Sequence, residues 1–280
     1  MNKQTSVIDT LRGSYPKLHD AERKVAKYVM ANPESVLEMS TSTLAKASGV
    51  SDATIVRMCQ HAGFKGYYQM RLAMSRDIGY RGTTETDNID EDPIGHVINT
   101  DIARLKTLEN EGNKEAIAKA AKMLCKADIV VVTGAGNTAA IAQDVSFRLN
   151  RFGIRSFSSA VPENTMNYVA NSGPGDVLVA ISKSGSSTIT LQIVKFAKRH
   201  KLKVIAMTGD LESTIGKAAH CAIDSGSSDG ILTKIQHGLE SHLGELLMAD
   251  AILYAINMEL GVTKEKKGEE TELEIASWKE

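Results

Sequence analysis

The run Ile129-Val130-Val131-Val132-Thr133 is β-branched at every position. Such a run is stiff at χ1, favours extended backbone and has no charged side, so it reads as a strand covered on both faces. The turn Gly134-Ala135-Gly136-Asn137-Thr138 follows, then a helical spacing to Phe152, and then four more short apolar runs: Ile154–Phe157, Val177–Ser182, Val204–Thr208 and His220–Asp224. Helical stretches separate them. Strands alternating with helices need crossover connections, so the pattern predicts a five-stranded parallel sheet in a three-layer α/β/α domain. A long pattern from about Ile235 to Leu260 closes that domain.

The third strand runs into Ser182-Lys183-Ser184-Gly185-Ser186-Ser187-Thr188, after which the apolar spacing is helical through Ile189, Ile193, Val194 and Ala197. Several hydroxyls and the unpaired N–H groups of a helix start thus meet at one point. Hydrogen bonds and the helix dipole favour an anion such as a phosphate there. An ordinary Ser-rich turn with an N-cap is the other reading of this segment. Gly134-x-Gly136 invites a dinucleotide reading, and Ala139 at the third glycine position is tolerated by that motif. The second strand, however, ends in Ser156-Phe157-Ser158-Ser159, without the acid that would hold a ribose, which argues against a dehydrogenase.

Residues before the sheet are helical and differently charged. The first 80 residues carry 11 Lys and Arg against 7 Asp and Glu, whereas the remaining 200 carry 22 against 27. A basic head on an acidic body suggests that the head meets a polyanion. Residues 5–12 read as a short helix ending near Gly13, Leu18–Met30 as a second with Asp20 as N-cap, and Pro33–Leu37 as a third. Thr41 to Gln60 then has the spacing of a helix-turn-helix: Ala45 where two helices cross, Gly49 at the turn, and Leu44, Val50, Ile55 and Met58 holding the pair together. Ser51 can cap the second helix, the expected reader of DNA. With the apolar positions inward, Ser51, Asp52, Ala53, Thr54, Arg57 and Gln60 fall on the exposed face or at the N-terminal end. Arg57 and Gln60 have donors for base edges, Ser51 and Thr54 suit phosphates, and Lys65 and Tyr67 can add backbone contacts. A hairpin of helices that binds no nucleic acid is the alternative.

The polar, acidic stretch 79–93 marks a linker, with a boundary near residue 85. Ile94–Leu108 and Lys114–Cys125 are expected as amphipathic helices, the second capped by Asn113. The expected division is a head over 1–78, the linker 79–93, the α/β domain over 94–262 and a mobile tail over 263–280, in which Trp278 has no evident role. Cys59, Cys125 and Cys221 lack the spacing of a disulfide framework or a zinc site and read as small buried hydrophobes; no metal and no cofactor is expected. No stretch approaches the roughly 18 apolar residues of a membrane span, which points to a cytoplasmic protein with no membrane partner.

The head carries a dense set of family features: Asp20-Ala21-Glu22-Arg23-Lys24-Val25-Ala26, Asn32-Pro33, Leu44-Ala45, Gly49-Val50-Ser51, Thr54-Ile55-Val56-Arg57 and Gly63-Phe64-Lys65-Gly66-Tyr67. Over residues 1–78 it resembles the N-terminal domain of the MurR/RpiR family of bacterial transcriptional regulators. The loops at Gly134–Thr138 and Ser182–Ser187 resemble those of the sugar isomerase (SIS) domain, a likeness covering roughly residues 110–260. The two together are the architecture of that family. The resemblance implies that Ser182, Ser184 and Thr188, with backbone groups of Gly185, Ser186 and Ser187, hold a phosphate. Gly136, Asn137 and Thr138 would line the opposite wall.

SIS domains occur in enzymes as well as sensors, and an isomerase needs a general base. Catalytic members commonly place a glutamate between the fifth strand and the last helix, whereas residues 225–233 here hold only Asp229. Glu163, Glu240, Glu245 and His237 are possible substitutes, but each also fits a bland role: a helix start for Glu163, helix surface or subunit contact for Glu240 and Glu245, and a first-turn polar residue for His237. Lys183 can pair with a phosphate or simply stand in solvent. The expected protein is a non-enzymatic transcriptional regulator of carbohydrate metabolism that binds a palindromic double-stranded operator as a homodimer or homotetramer and senses a phosphosugar effector. The alternatives are a phosphosugar isomerase with an accessory DNA-binding head, and a sugar-phosphate binder that controls a partner protein.

Overall fold

The computed structural model describes residues 6–82, 92–226, 241–260 and 273–278. The chain divides into two compact units, one comprising residues 1–101 with 228–241 and the other residues 102–227 with 242–280. No helix among the described residues is long and apolar enough to cross a membrane.

The first unit is helical: α1 Val7–Ser14, α2 Asp20–Ala31, α3 Pro33–Glu38, α4 Thr41–Ser48, α5 Asp52–His61 and α6 Tyr67–Gly82. Leu11, Val25, Leu44, Ile55, Met58 and Met70 are fully buried at its centre. The start of α2 differs from expectation. His19, not Asp20, occupies the cap position, and the Glu22 carboxylate reaches back to accept the His19 N–H at 3.1 Å. A carboxylate three residues into a helix satisfies a donor that a cap side chain would otherwise serve. The α4–α5 pair is the expected helix-turn-helix. Gly49 ends α4 at φ 66°, a left-handed conformation that glycine adopts without a Cβ penalty, and Val50 N–H donates to the Ala45 carbonyl at 2.9 Å. Ala45 is 2% exposed where the two helices meet.

Helix α6 runs to Gly82, so the expected linker begins inside a helix; residues 83–91 lie outside the described residues. The division between the units falls at residues 101 and 102, within α7 Pro93–Leu108, rather than ahead of that helix.

The second unit is a five-stranded sheet of order β2-β1-β3-β4-β5 with every neighbouring pair parallel. The strands are β1 Val130–Gly134, β2 Ser156–Ser158, β3 Val177–Ile181, β4 Lys203–Thr208 and β5 Cys221–Asp224. Helices α8 Glu111–Cys125, α9 Thr138–Arg151, α10 Pro162–Ala170, α11 Thr188–Arg199, α12 Thr214–Ala218 and α13 Leu243–Leu260 surround it. Side chains alternate between two cores. Val130, Val132, Val177, Val179, Ile205 and Met207 pack with α8, α9 and α13, while Val131, Leu178, Ala180, Val204 and Ala206 pack with α10, α11 and α12. Strands with apolar cover on both sides are why the sequence shows continuous rather than alternating hydrophobicity.

Three expectations shift. Strand β2 starts at Ser156, because Ile154 is used to close α9, its N–H donating to the Leu149 carbonyl at 3.0 Å. Helix α8 is capped by Asn110, whose side chain accepts the Asn113 N–H at 2.9 Å. Asn113 instead pins α8 to β5, donating to the Leu108 and Asp224 carbonyls at 2.9 and 3.1 Å and accepting the Asp224 N–H at 3.0 Å. Helix α13 begins at Leu243; the expected start near Ile235, with His237 and Glu240, lies outside the described residues, as does Asp229 in the stretch before it. Within the expected tail, residues 273–277 form a short helix, with Leu273 and Trp278 exposed.

Candidate functional site

In a doubly wound sheet the connections from two adjacent strands leave in opposite directions where the strand order reverses. That opens a crevice beyond their carboxyl ends, the usual ligand position. Here the reversal lies between β1 and β3. Their register pairs Gly134 with Ile181, so the Gly134–Thr138 and Ser182–Thr188 loops start side by side at that crevice. The two segments singled out in the sequence therefore share one site.

Individual residues divide into those that build the loops and those that face outward. Thr138 is buried, and its Oγ1 lies 3.1 Å from the carbonyls of Ala135 and Ile181, tying the first loop to the end of β3. Gly134 lets α9 approach closely, since a Cβ there would sit 2.5 Å from the Thr138 carbonyl. Gly136 and Asn137 are exposed. In the second loop Ser182 is buried, and its carbonyl accepts the Gly185 N–H at 2.8 Å. Ser187 caps α11 by accepting the Thr190 N–H at 3.4 Å, and Ser186 donates its hydroxyl to the Ser184 carbonyl at 3.1 Å. Ser184, Ser186 and Ser187 are half-buried and Thr188 is exposed at the first turn of α11, where backbone N–H groups have no partner within the helix.

Two expectations at this loop are corrected. Lys183 is not a solvated lysine: it is 6% exposed, and its Nζ lies 3.3 Å from both carboxylate oxygens of Glu245. Glu245 is not a surface or subunit-contact residue either, being fully buried on the first turn of α13. Ser225 donates to its Oε1 at 3.3 Å, and His242 Nδ1 stands 3.6 Å from Oε2. Burial pushes the Glu245 carboxyl up. The His242 ring and the Lys183 ammonium outweigh that and hold it below the usual carboxylate range. A depressed pKa makes a poor proton acceptor near neutral pH, where a base works best with a pKa close to the operating pH. Glu163, the other described candidate base, is exposed in the first turn of α10 but does not cap it as expected, since Val161 holds the cap position with no side-chain cap bond.

On the recognition helix α5, Ser51, Ala53, Arg57 and Gln60 are exposed and Asp52 is half-buried, accepting a 2.6 Å hydrogen bond from Ser42. Ser51 holds the cap position but its hydroxyl lies 3.0 Å from the Thr54 hydroxyl and makes no cap bond to a backbone N–H. Thr54 is 5% exposed, and its hydroxyl takes a 3.2 Å hydrogen bond from Arg57 Nη2 and thereby steers that side chain. Lys65 is exposed, whereas Tyr67 is buried and donates to the Val36 and Met39 carbonyls at 2.9 Å. The expectation of Tyr67 at DNA is thus corrected. Its neighbour Tyr68, 67% exposed, is the aromatic that faces outward, and Val56 on α5 is also exposed. The Gly66-Tyr67-Tyr68 stretch offered the sequence no periodicity by which to tell the two tyrosines apart.

Comparisons with known proteins fall on these two regions. Residues 5–80 match the helix-turn-helix domain of the rpiR family, and residues 123–252 match the SIS domain. An uncharacterised HTH-type transcriptional regulator of Haemophilus influenzae is 26% identical over 265 residues, covering 91% of each chain. The bifunctional protein glk of Burkholderia orbicola is 27% identical over 263 residues, but the match spans only 40% of that longer protein and 90% of this chain. The Vibrio vulnificus NanR protein, solved in complex with ManNAc-6P, shares the fold with a TM-score of 0.82 at 20% identity, covering 98% of this chain and 99% of that one. With both domains matched in this order, the chain carries a helix-turn-helix domain of the rpiR family followed by a SIS domain.

Proposed function

We propose that this regulator binds an operator through α5 and senses a phosphorylated sugar or sugar derivative at the crevice between β1 and β3, and that the ligand changes its affinity for DNA. The observation carrying this reading is the convergence of the Gly134–Thr138 and Ser182–Thr188 loops at the reversal of strand order. In this reading Ser182, Ser184 and Thr188 with the backbone at Gly185, Ser186 and Ser187 take the phosphate, and Gly136, Asn137 and Thr138 form the facing wall. NanR in complex with ManNAc-6P lends support as a chain of the same fold. The reading involves no turnover, and it is supported by Glu245, the buried carboxylate beside the loop, being held as an ion pair with Lys183.

A helix-turn-helix reads one half-site, so a palindromic operator calls for at least two copies, a homodimer or homotetramer. Helix α13 favours this: Leu243, Leu247, Tyr254 and Met258 fall on one exposed face. Ligand and DNA affinities are then reciprocally coupled in a cytoplasmic regulator of carbohydrate metabolism. The domains proposed are a head over 1–78, linker 79–93, SIS domain 94–262 and tail 263–280.

The test is retardation of operator DNA by the purified chain with and without a panel of sugar phosphates. A shift in DNA affinity with one of them, and no consumption of that compound, is expected. Turnover of it would favour the isomerase reading, and indifference to all would sink the sensor. In the same assay Arg57→Ala weakens operator binding by about 1–3 kcal/mol, as loss of a base-reading arginine does. Its thermal shift with the effector stays that of the wild type. Unaltered operator affinity would remove Arg57 from the recognition surface.

A further inference from the structure

The first unit holds a group of side chains that neither DNA reading nor effector sensing uses. His19 at the start of α2, Glu22 three residues on, and His61 at the end of α5 each offer a ligand atom, and these atoms lie within 4.8 Å of one another. Glu22 is 2% exposed, whereas both histidines are exposed. The carboxylate is already oriented: its Oε2 faces the His19 N–H at 3.1 Å and the His61 Nδ1 at 2.9 Å. The two imidazoles meet edge to face with centroids 5.8 Å apart.

The geometry points to a binding site for a divalent transition cation of the Zn2+ type, held by His19, Glu22 and His61. Two imidazoles and one carboxylate are the donors such an ion prefers, with a fourth position open to water. Tetrahedral coordination needs ligand atoms about 2.0–2.2 Å from the ion, hence about 3.3–3.5 Å from one another. Rotation of the two exposed rings adjusts the spacing while the buried carboxylate stays fixed, the His61 Nδ1 drawing back from its 2.9 Å approach to Oε2. The backbone N–H of His19 bonded to Glu22 provides the outer partner that orients a ligating carboxylate. Because His61 is the last residue of α5, the ion fastens the recognition helix to the start of α2. His19 and His61 stand 42 positions apart, which is why no spacing rule revealed them.

The experiment is a titration of the full chain with Co2+, read by visible d–d absorption, together with thermal unfolding by circular dichroism in rising Zn2+. The wild type is expected to develop tetrahedral Co2+ bands at one equivalent, and its unfolding temperature to climb with Zn2+ concentration by mass action. His19→Gln and His61→Gln each remove a direct ligand. Each should weaken Co2+ binding by more than the roughly 10- to 100-fold that loss of an outer partner costs. The zinc-dependent increment in unfolding temperature disappears with it. His200→Gln, on a histidine of the other unit, retains both signals. Glu22→Gln disturbs a buried group and is read only if its circular dichroism matches the wild type. Absence of a Co2+ spectrum in the wild type, or undiminished binding in both histidine variants, would overturn the assignment.

Discussion

Replacing Lys183 by Met destabilises the second unit by about 3–5 kcal/mol, because a fully buried carboxylate loses its cation. Glu245 is wholly inaccessible, and besides Lys183 it faces the Ser225 hydroxyl at 3.3 Å and the His242 ring at 3.6 Å. The double variant Lys183→Met/Glu245→Leu recovers most of the loss, since exchanging both members of a buried pair for apolar residues is often neutral. The single and double variants form a cycle that isolates the coupling. Thermal or urea unfolding followed by circular dichroism checks this, with the second unit's transition analysed separately from the head.

The pH dependence gives an independent reading of the same pair. In the wild type the Glu245 pKa is depressed on folding, so its stabilisation is present above the unfolded pKa and is lost as pH falls through the lower folded value. Without Lys183 one of the groups that hold the carboxyl down is gone, so the folded pKa moves up from its wild-type position. The gap between wild type and Lys183→Met therefore narrows on acidification through the carboxylate range. A gap that is absent at pH 7, or that is indifferent to pH, would mean the pair is not the buried lock described.

The contrast between what the sequence reveals and what it hides follows from the range of the forces involved. The parallel sheet is legible because burial on both faces writes itself into consecutive residues, as in Ile129–Thr133. The helix-turn-helix is legible because Ala45, Gly49 and Val50 satisfy local steric demands within one turn. Both candidate loops, Gly134–Thr138 and Ser182–Thr188, are legible because hydroxyls and glycines cluster where a strand hands over to a helix. The Lys183–Glu245 pair is not, since its members are 62 positions apart and each looks like an ordinary charged residue. Caps are ambiguous by a residue or three when polar side chains adjoin, as Asp20 and His19 or Asn113 and Asn110 do. Tyr67 and Thr54 read as exposed, but their polar tips are used internally, by the Val36 and Met39 carbonyls and by Arg57. A hydroxyl on a helix carries no mark of which way it is turned.

Gly185→Ala abolishes the response to the effector while leaving DNA binding in its absence intact. Gly185 sits at φ +60°, and a Cβ there would lie 1.9 Å from Ser213 Oγ, 2.3 Å from Ser213 Cβ and 2.8 Å from Thr208 Oγ1. Ser213 cannot retreat freely: it is fully buried and caps α12, accepting the Gly216 N–H at 3.1 Å. Nor can the loop shift alone, because the Gly185 N–H donates to the Ser182 carbonyl at 2.8 Å and its own carbonyl accepts the Ile215 N–H at 3.1 Å. The left-handed conformation alone costs a non-glycine residue about 1–3 kcal/mol. Relief by displacing the loop moves the Ser184–Ser187 backbone off the phosphate position, and a loss of about 100-fold in effector affinity, roughly 2.7 kcal/mol, is expected. Thermal shift with the sugar phosphate that stabilises the wild type measures it. Adding Ser213→Gly removes the two closest atoms and leaves Thr208 Oγ1 at 2.8 Å, and glycine at a cap costs only a few tenths of a kcal/mol relative to serine. The double variant therefore regains part of the affinity, leaving the backbone strain and the contact with Thr208 Oγ1. Wild-type effector affinity in Gly185→Ala would show that the loop backbone does not hold the phosphate, and failure of the second change to rescue would place the damage in the backbone conformation rather than in the contact with Ser213.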